Sequence, residues 1–239
     1  MTVATKTVRD IALENPATIR VFEAFGIDYC CGGKKPLTEA CTAKNLSVDE
    51  VLEALESTGP AEREIENWSA QSLGVLAAHI VNTHHAYVRR ELPRLTELAE
   101  KVVRRHGDTK PELPAIQLKL NELGEELLQH CAKEELVLFP YITKFERAIA
   151  DGTPKPHGCF GSVTNPIAMM TQEHDSAGAL VAQMRELSSD FTPPVGACPT
   201  FHAFYLGLHE FEQDLHQHIH LENNILFPRA IDMERSSHI

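Results

Sequence analysis

Several features are scarce in this 239-residue chain, and each scarcity excludes a class of protein. No run of 18 or more apolar residues occurs, so no transmembrane helix is expected. The opening residues, MTVATKTVRD, lack the apolar core of a secretory signal, and the expected location is the cytoplasm. Basic residues are few: 22 Lys and Arg against 34 Asp and Glu leave a net charge of −12. A chain with that balance does not offer the basic patch that neutralises phosphate, so nucleic acid is not an expected partner. Alternating strand-like segments are rare as well. Six cysteines (Cys30, Cys31, Cys41, Cys131, Cys159 and Cys198) are too few for a disulfide framework, and two are adjacent, so they read as reduced thiols.

What is present is an ordinary 43% of apolar residues, enough to bury a core, and an unusual thirteen histidines. Helical periodicity follows helical periodicity along the chain. Short helices are expected at 8–13, 17–25, 37–44 and 47–56. The last opens with Ser47 and carries Glu50 three residues on, a capping-box pattern. These make an N-terminal helical module at 1–57, and Gly59-Pro60 marks a linker at 58–70. Four long helices then follow at 72–106, 114–141 continuing towards 149, 166–187 and 199–229, with Pro93 a kink or an accommodated break inside the first. Their links are rich in Gly, Pro, Ser and Asp. The expected fold is all-α: an up-down four-helix bundle over 71–239 behind the small module.

Two strings inside the long helices repeat. His130-Cys-Ala-Lys-Glu134 ends in Leu138-Phe139-Pro140, and His218-Ile-His-Leu-Glu222 ends in Leu226-Phe227-Pro228. Only His, the Glu four later and the Leu-Phe-Pro ending survive in both. Residues i and i+4 share one helix face, so each pair can offer two ligands to one point. A lone histidine precedes each pair, His84 by 46 residues and His174 by 44, which makes a two-fold repeat of a helix hairpin.

Apolar stripes carry these residues inward. Leu120, Leu123, Leu127, His130, Glu134, Val137 and Tyr141 follow 3/4 spacing, and so do Leu208, Phe211, Leu215, His218, Glu222 and Ile225. His174 lies on a stripe with Ile167, Met170 and Val181. Ala77, Ile80, His84 and Val88 select His84, with its neighbour His85 100° further round as the rival. A buried glutamate is costly unless paired or bound to a cation, and two of them in matched positions point to metal. His216 and His220 also have i, i+4 spacing, but they share a polar face with His209, Gln213 and Asn223 and read as solvated.

Four imidazoles and two carboxylates suit a pair of first-row ions, principally iron. If both glutamates bridge, an oxo or hydroxo bridge completes five ligands at each ion and leaves one position open for a small diatomic molecule or for redox work. The set His84, His130, Glu134, His174, His218 and Glu222 resembles the ligand pattern of hemerythrin-like di-iron domains. With Asp28-Tyr29-Cys30-Cys31-Gly32-Gly33 ahead of it, nearly the whole chain is similar to the RIC family, the repair-of-iron-centres proteins. That resemblance implies two non-haem iron ions, damaged iron–sulfur proteins as partners, and a homodimer. It also implies repair of clusters injured by nitrosative or oxidative stress, with iron donation as the means. Binding, scavenging or reduction of NO at the metal pair is the alternative. Cys30 and Cys31 are the candidate reactive or iron-transfer thiols, with Lys34, Lys35 and the following helix N-terminus favouring thiolate.

Overall fold

The computed structural model describes residues 3–30, 32–58 and 68–237. The middle of the expected linker, residues 59–67, and Cys31 lie outside the described residues. Among those described there is no strand, only eight helices joined by turns and short 3-10 segments. Among the described residues no helix is long and apolar enough to cross a membrane.

The chain divides into two compact units, residues 1–72 with 216–229, and residues 73–215 with 230–239. In the first, α1 (Val8–Glu14), α2 (Ile19–Ala24), α3 (Leu37–Ala43) and α4 (Val48–Ser57) gather round Phe22, Tyr29, Leu37, Cys41 and Val51. Side-chain oxygens start two of these helices: Thr7 accepts from Asp10 N at 3.1 Å and Ser47 from Glu50 N at 3.4 Å, so donors that the helix cannot satisfy itself are used. The capping-box serine acts as its pattern requires.

In the second unit α5 spans 73–106, α6 112–151 and α7 Thr164–Leu187, and α8 (199–236) contributes both its ends. Leu73–Ile80 packs on Phe139–Asp151 and Ala86–His106 on Glu112–Lys133, so α5 and α6 run antiparallel. Side chains join α7 to α8 the same way, Arg185 to Glu212 near one end and Val163 N to Glu234 at the other. The result is the up-down bundle expected from the long amphipathic windows. Two buried or half-buried glutamates serve as distant caps. Glu146 accepts from Leu73 N and Gly74 N at 2.7 and 2.9 Å, and Glu234 accepts from Val163 N, Tyr141 Oη and Ser162 Oγ. Pro93 is accommodated within α5, and Gly152, at φ 62°, ends α6 in the left-handed region that glycine enters without steric cost.

Three of the long helices contain a π turn: Val81–His85 in α5, Glu134–Leu138 in α6 and Leu221–Leu226 in α8. A π turn inserts one residue into the helical repeat and shifts the following side chains round the axis by about 100°. In α6 the consequence is visible. The core residues after the turn are Leu138 and Ile142, 2% and 0% exposed, whereas the expected Val137 is 44% exposed.

Candidate metal centre

The π turns hold three of the candidate ligands. His85 closes the first, Glu134 opens the second, and Glu222 lies in the third, two residues after the end of the α-helical segment that carries His218. Such turns redirect side chains without breaking a helix, which is why they recur at functional sites. Each ligand candidate is buried.

Two groups of four share two members. The ligand atoms of His85, Glu134, His218 and Glu222 all lie within 4.8 Å of one another, and so do those of His130, Glu134, His174 and Glu222. Glu134 Oε2 is 3.3 Å from His85 Nε2 and 3.2 Å from His130 Nε2. His218 Nε2 is 2.9 Å from Glu222 Oε1. His130 and His174 point their Nε2 atoms at each other, 3.0 Å apart.

Carboxylates behind the rings decide which nitrogen is offered. His85 Nδ1 donates to Glu135 Oε1 at 2.7 Å and His130 Nδ1 to Glu173 Oε2 at 2.9 Å. With the proton held at Nδ1, the Nε2 lone pair is left facing inward, the tautomer a metal needs. Burial pushes the Glu135 and Glu173 carboxyls up, but hydrogen bonds outweigh it and hold both below the ordinary carboxylate range. Arg89 and His85 supply them to Glu135, Lys133 and His130 to Glu173. Both therefore stay charged behind their imidazoles.

Whether a cation fits is decided at Glu134. Its side chain is fully buried, and among the described residues neither carboxylate oxygen accepts a hydrogen bond. A buried carboxylate without donors costs several kcal/mol, and a bound cation facing it removes that cost. Imidazole nitrogens aimed at the same oxygen complete a borderline donor set suited to first-row metals.

Of the residues expected from sequence, His130, Glu134, His174, His218 and Glu222 fall in these groups, and His84 does not. His84 is buried, but its Nδ1 meets Asp214 Oδ1 at 3.0 Å, and His85 stands in the group instead. Uniform 3.6-residue phasing selects His84. The π turn ending at His85 adds a residue there, and no sequence signal at 81–85 announces it.

The reading of His220 as part of a solvated face is corrected, while His216 is half-buried. His220 is 4% exposed, its Nδ1 accepts from Asn224 Nδ2 at 2.9 Å, and its ring meets Tyr29 edge-on at 5.5 Å. Burial pushes its pKa down to about 4, so the ring is neutral. Cys30, also buried, sits in a turn organised by Asp28, whose carboxylate accepts from Cys30 N at 2.9 Å and Gly32 N at 2.8 Å and lies 3.2 Å from Cys30 Sγ. The thiol thus faces a carboxylate.

The bundle and its His/Glu centre define a cation-binding helical protein, and the chain belongs to the hemerythrin HHE cation-binding family, whose model matches residues 76–230. A second model, a domain of unknown function (DUF542), matches residues 4–58. Within that class the chain falls among the iron–sulfur cluster repair proteins of the YtfE type. It is 38% identical over 222 residues to the iron-sulfur cluster repair protein YtfE of Yersinia pseudotuberculosis serotype O:1b (strain IP 31758), covering 92% of this chain and 94% of the relative. The YtfE protein of Yersinia pestis (strain Pestoides F) is similar over the same lengths at the same identity.

Proposed function

We propose that this protein repairs damaged iron–sulfur clusters and does so by holding two non-haem iron ions and giving iron up to the injured protein. The observation that supports the metal reading most directly is Glu134, buried without a hydrogen-bond donor yet shared by both His/Glu groups. The kinship with cluster repair proteins supports the biological reading. In this assignment His85 and His218 would hold one ion and His130 and His174 the other, with Glu134 and Glu222 common to both groups. Iron, when bound, supplies two accessible oxidation states and ligand positions that can exchange.

The chain's own groups supply retention and release. Four neutral imidazoles hold a metal only while unprotonated, so a proton arriving at Nε2 competes directly with the ion. Glu135 and Glu173 keep the Nδ1 proton of His85 and His130 in place and orient the rings. Cys30 and, beside it in the sequence, Cys31 are the groups proposed to receive iron or to meet the target.

The test is iron analysis with Mössbauer spectroscopy of the purified protein, followed by anaerobic incubation with a [4Fe–4S] dehydratase inactivated by peroxide and a thiol reductant to supply the electron that cluster rebuilding consumes. The expected result is about two iron ions per chain, one ion per proposed histidine pair, and recovery of the dehydratase as the chain loses iron. One zinc per chain, or recovery that proceeds equally with metal-free protein, would overturn the reading.

A further inference from the structure

The turn that carries Glu222 also holds the cysteine loop of the N-terminal module. Asn224 stands two residues after Glu222, and its Nδ2 donates one hydrogen to the Tyr29 carbonyl at 3.2 Å and the other to His220 Nδ1 at 2.9 Å. Both amide hydrogens are thereby used. The His220 ring, two residues before Glu222, also meets the Tyr29 ring edge-on at 5.5 Å. The Tyr29 carbonyl belongs to the peptide bond that leads into Cys30. From the module's side, Arg9 Nη2 donates to the Asn224 carbonyl at 3.3 Å, and Arg9 N donates to the Gly33 carbonyl at 2.8 Å, so α1 grips both the turn and the loop. The loop has little room to shift: a Cβ at Gly33 would collide with the Tyr29 carbonyl.

These groups form one connected path. Glu222, His220 and Asn224 occupy a single turn of helix, the last two hold Tyr29, and Tyr29 precedes the buried Cys30. None of the hydrogen bonds belongs to a metal-ligating atom, so the metal centre does not require them for its own ligand count. A π turn is less regular than the α-helix around it and opens more readily. Whatever fixes Glu222 therefore fixes the anchor of the Cys30 peptide.

We propose that Asn224 is a positioning residue that ties the setting of Cys30 to occupancy of the metal centre, so that the thiol is shielded while metal is held and released when it leaves. The inference rests on Glu222 being a ligand. It gives Cys30 a regulated availability that the repair reading does not itself contain. Delivery of iron and exposure of the thiol become one event, because loss of the ion at Glu222 loosens the turn that holds Tyr29.

The test is the alkylation rate of Cys30 in the full chain, read by peptide mass spectrometry that resolves it from Cys31. Iodoacetamide is the reagent, under anaerobic conditions, with metal-free protein and with protein loaded with ferrous iron or with zinc alone. In the wild type, loading should slow Cys30 alkylation by about tenfold, the effect of two hydrogen bonds on a local opening. Asn224→Ala should retain its metal and alkylate at one fast rate whether loaded or not. Arg9→Met, which changes no residue of the ligand helix, should reduce the ratio in the same direction, and it decides the matter if Asn224→Ala loses metal. A wild-type rate indifferent to metal, or variants that keep the wild-type ratio, overturns the proposal. Repair is scored separately: a chain that restores no cluster while Cys30 remains metal-gated through Asn224 fails the functional reading and leaves this one standing.

Discussion

His85 Nε2 lies 3.3 Å from Glu134 Oε2, while the residue before it, His84, gives its Nδ1 to Asp214. Adjacent residues on one helix thus face two different environments. His85→Ala should lower metal affinity by more than the roughly 10–100-fold that removal of an outer partner such as Glu135 costs. His84→Ala should keep the wild-type metal content, because its hydrogen bond to Asp214 lies outside the His/Glu groups. Metal content per chain after dialysis against a graded chelator series separates the two. Equal losses in both variants would return His84 to the ligand set.

Glu134 makes stability depend on metal in a way that its amide isostere does not. In the wild type, metal at about a hundred times its dissociation constant adds ~2.7 kcal/mol to the folded state. Glu134→Gln removes a buried charge that no hydrogen bond supports, so the metal-free variant should unfold at or above the temperature of metal-free wild type. With metal the order should reverse. Thermal denaturation with and without chelator reads both arms. A metal-free variant that unfolds well below metal-free wild type would mean that protein contacts, not a cation, hold this carboxylate.

The helices were legible because their signals are local: 3.6-residue periodicity, Ser47 with Glu50, and Gly-Pro breaks. What periodicity could not carry is phase beyond a π turn. Val137 and Tyr141 continue the α-helical stripe of α6, yet Leu138 and Ile142 take the core after the turn at Glu134–Leu138. The same one-residue slip separates His84 from His85. His220 was hidden for another reason, since what covers it is Tyr29, nearly two hundred residues away in the chain and invisible to a helix-face argument. The glutamate caps of α5 and α7 are long-range for the same cause.

That slip can be measured directly. Leu138→Ala empties a fully packed position and should cost about 2–5 kcal/mol, the range for leucine truncation in a core. Val137→Ala trims a side chain that is 44% exposed, and its cost should stay within about 0.5 kcal/mol. Urea unfolding of the metal-free forms compares them without a contribution from the ion. A larger loss at Val137 than at Leu138 would mean that α6 runs through Glu134 with unbroken α-helical phase.

Arg185 organises the far end of α7, where Ser189, Asp190 and Phe191 follow one another at φ 52°, 56° and 53°. Three consecutive non-glycine residues in the left-handed region are strained by about 1 kcal/mol or more each, so something must hold them. Arg185 does so on three sides. Its Nε and Nη2 grip Glu212 at 3.0 and 2.6 Å, Nη1 reaches Asp190 at 3.0 Å, and the guanidinium lies 5.4 Å over the Phe191 ring. Glu212 is 5% exposed, so removing its partner strands a buried carboxylate. Arg185→Met should therefore cost about 2–3 kcal/mol, below the 3–5 of a fully enclosed pair because the arginine reaches water. Adding Glu212→Met should recover much of that loss, since the stranded charge is gone and two apolar side chains can pack. Urea unfolding of the two single variants and the double variant closes the cycle. A double variant no more stable than Arg185→Met would show that the turn, and not the ion pair, is what Arg185 supports.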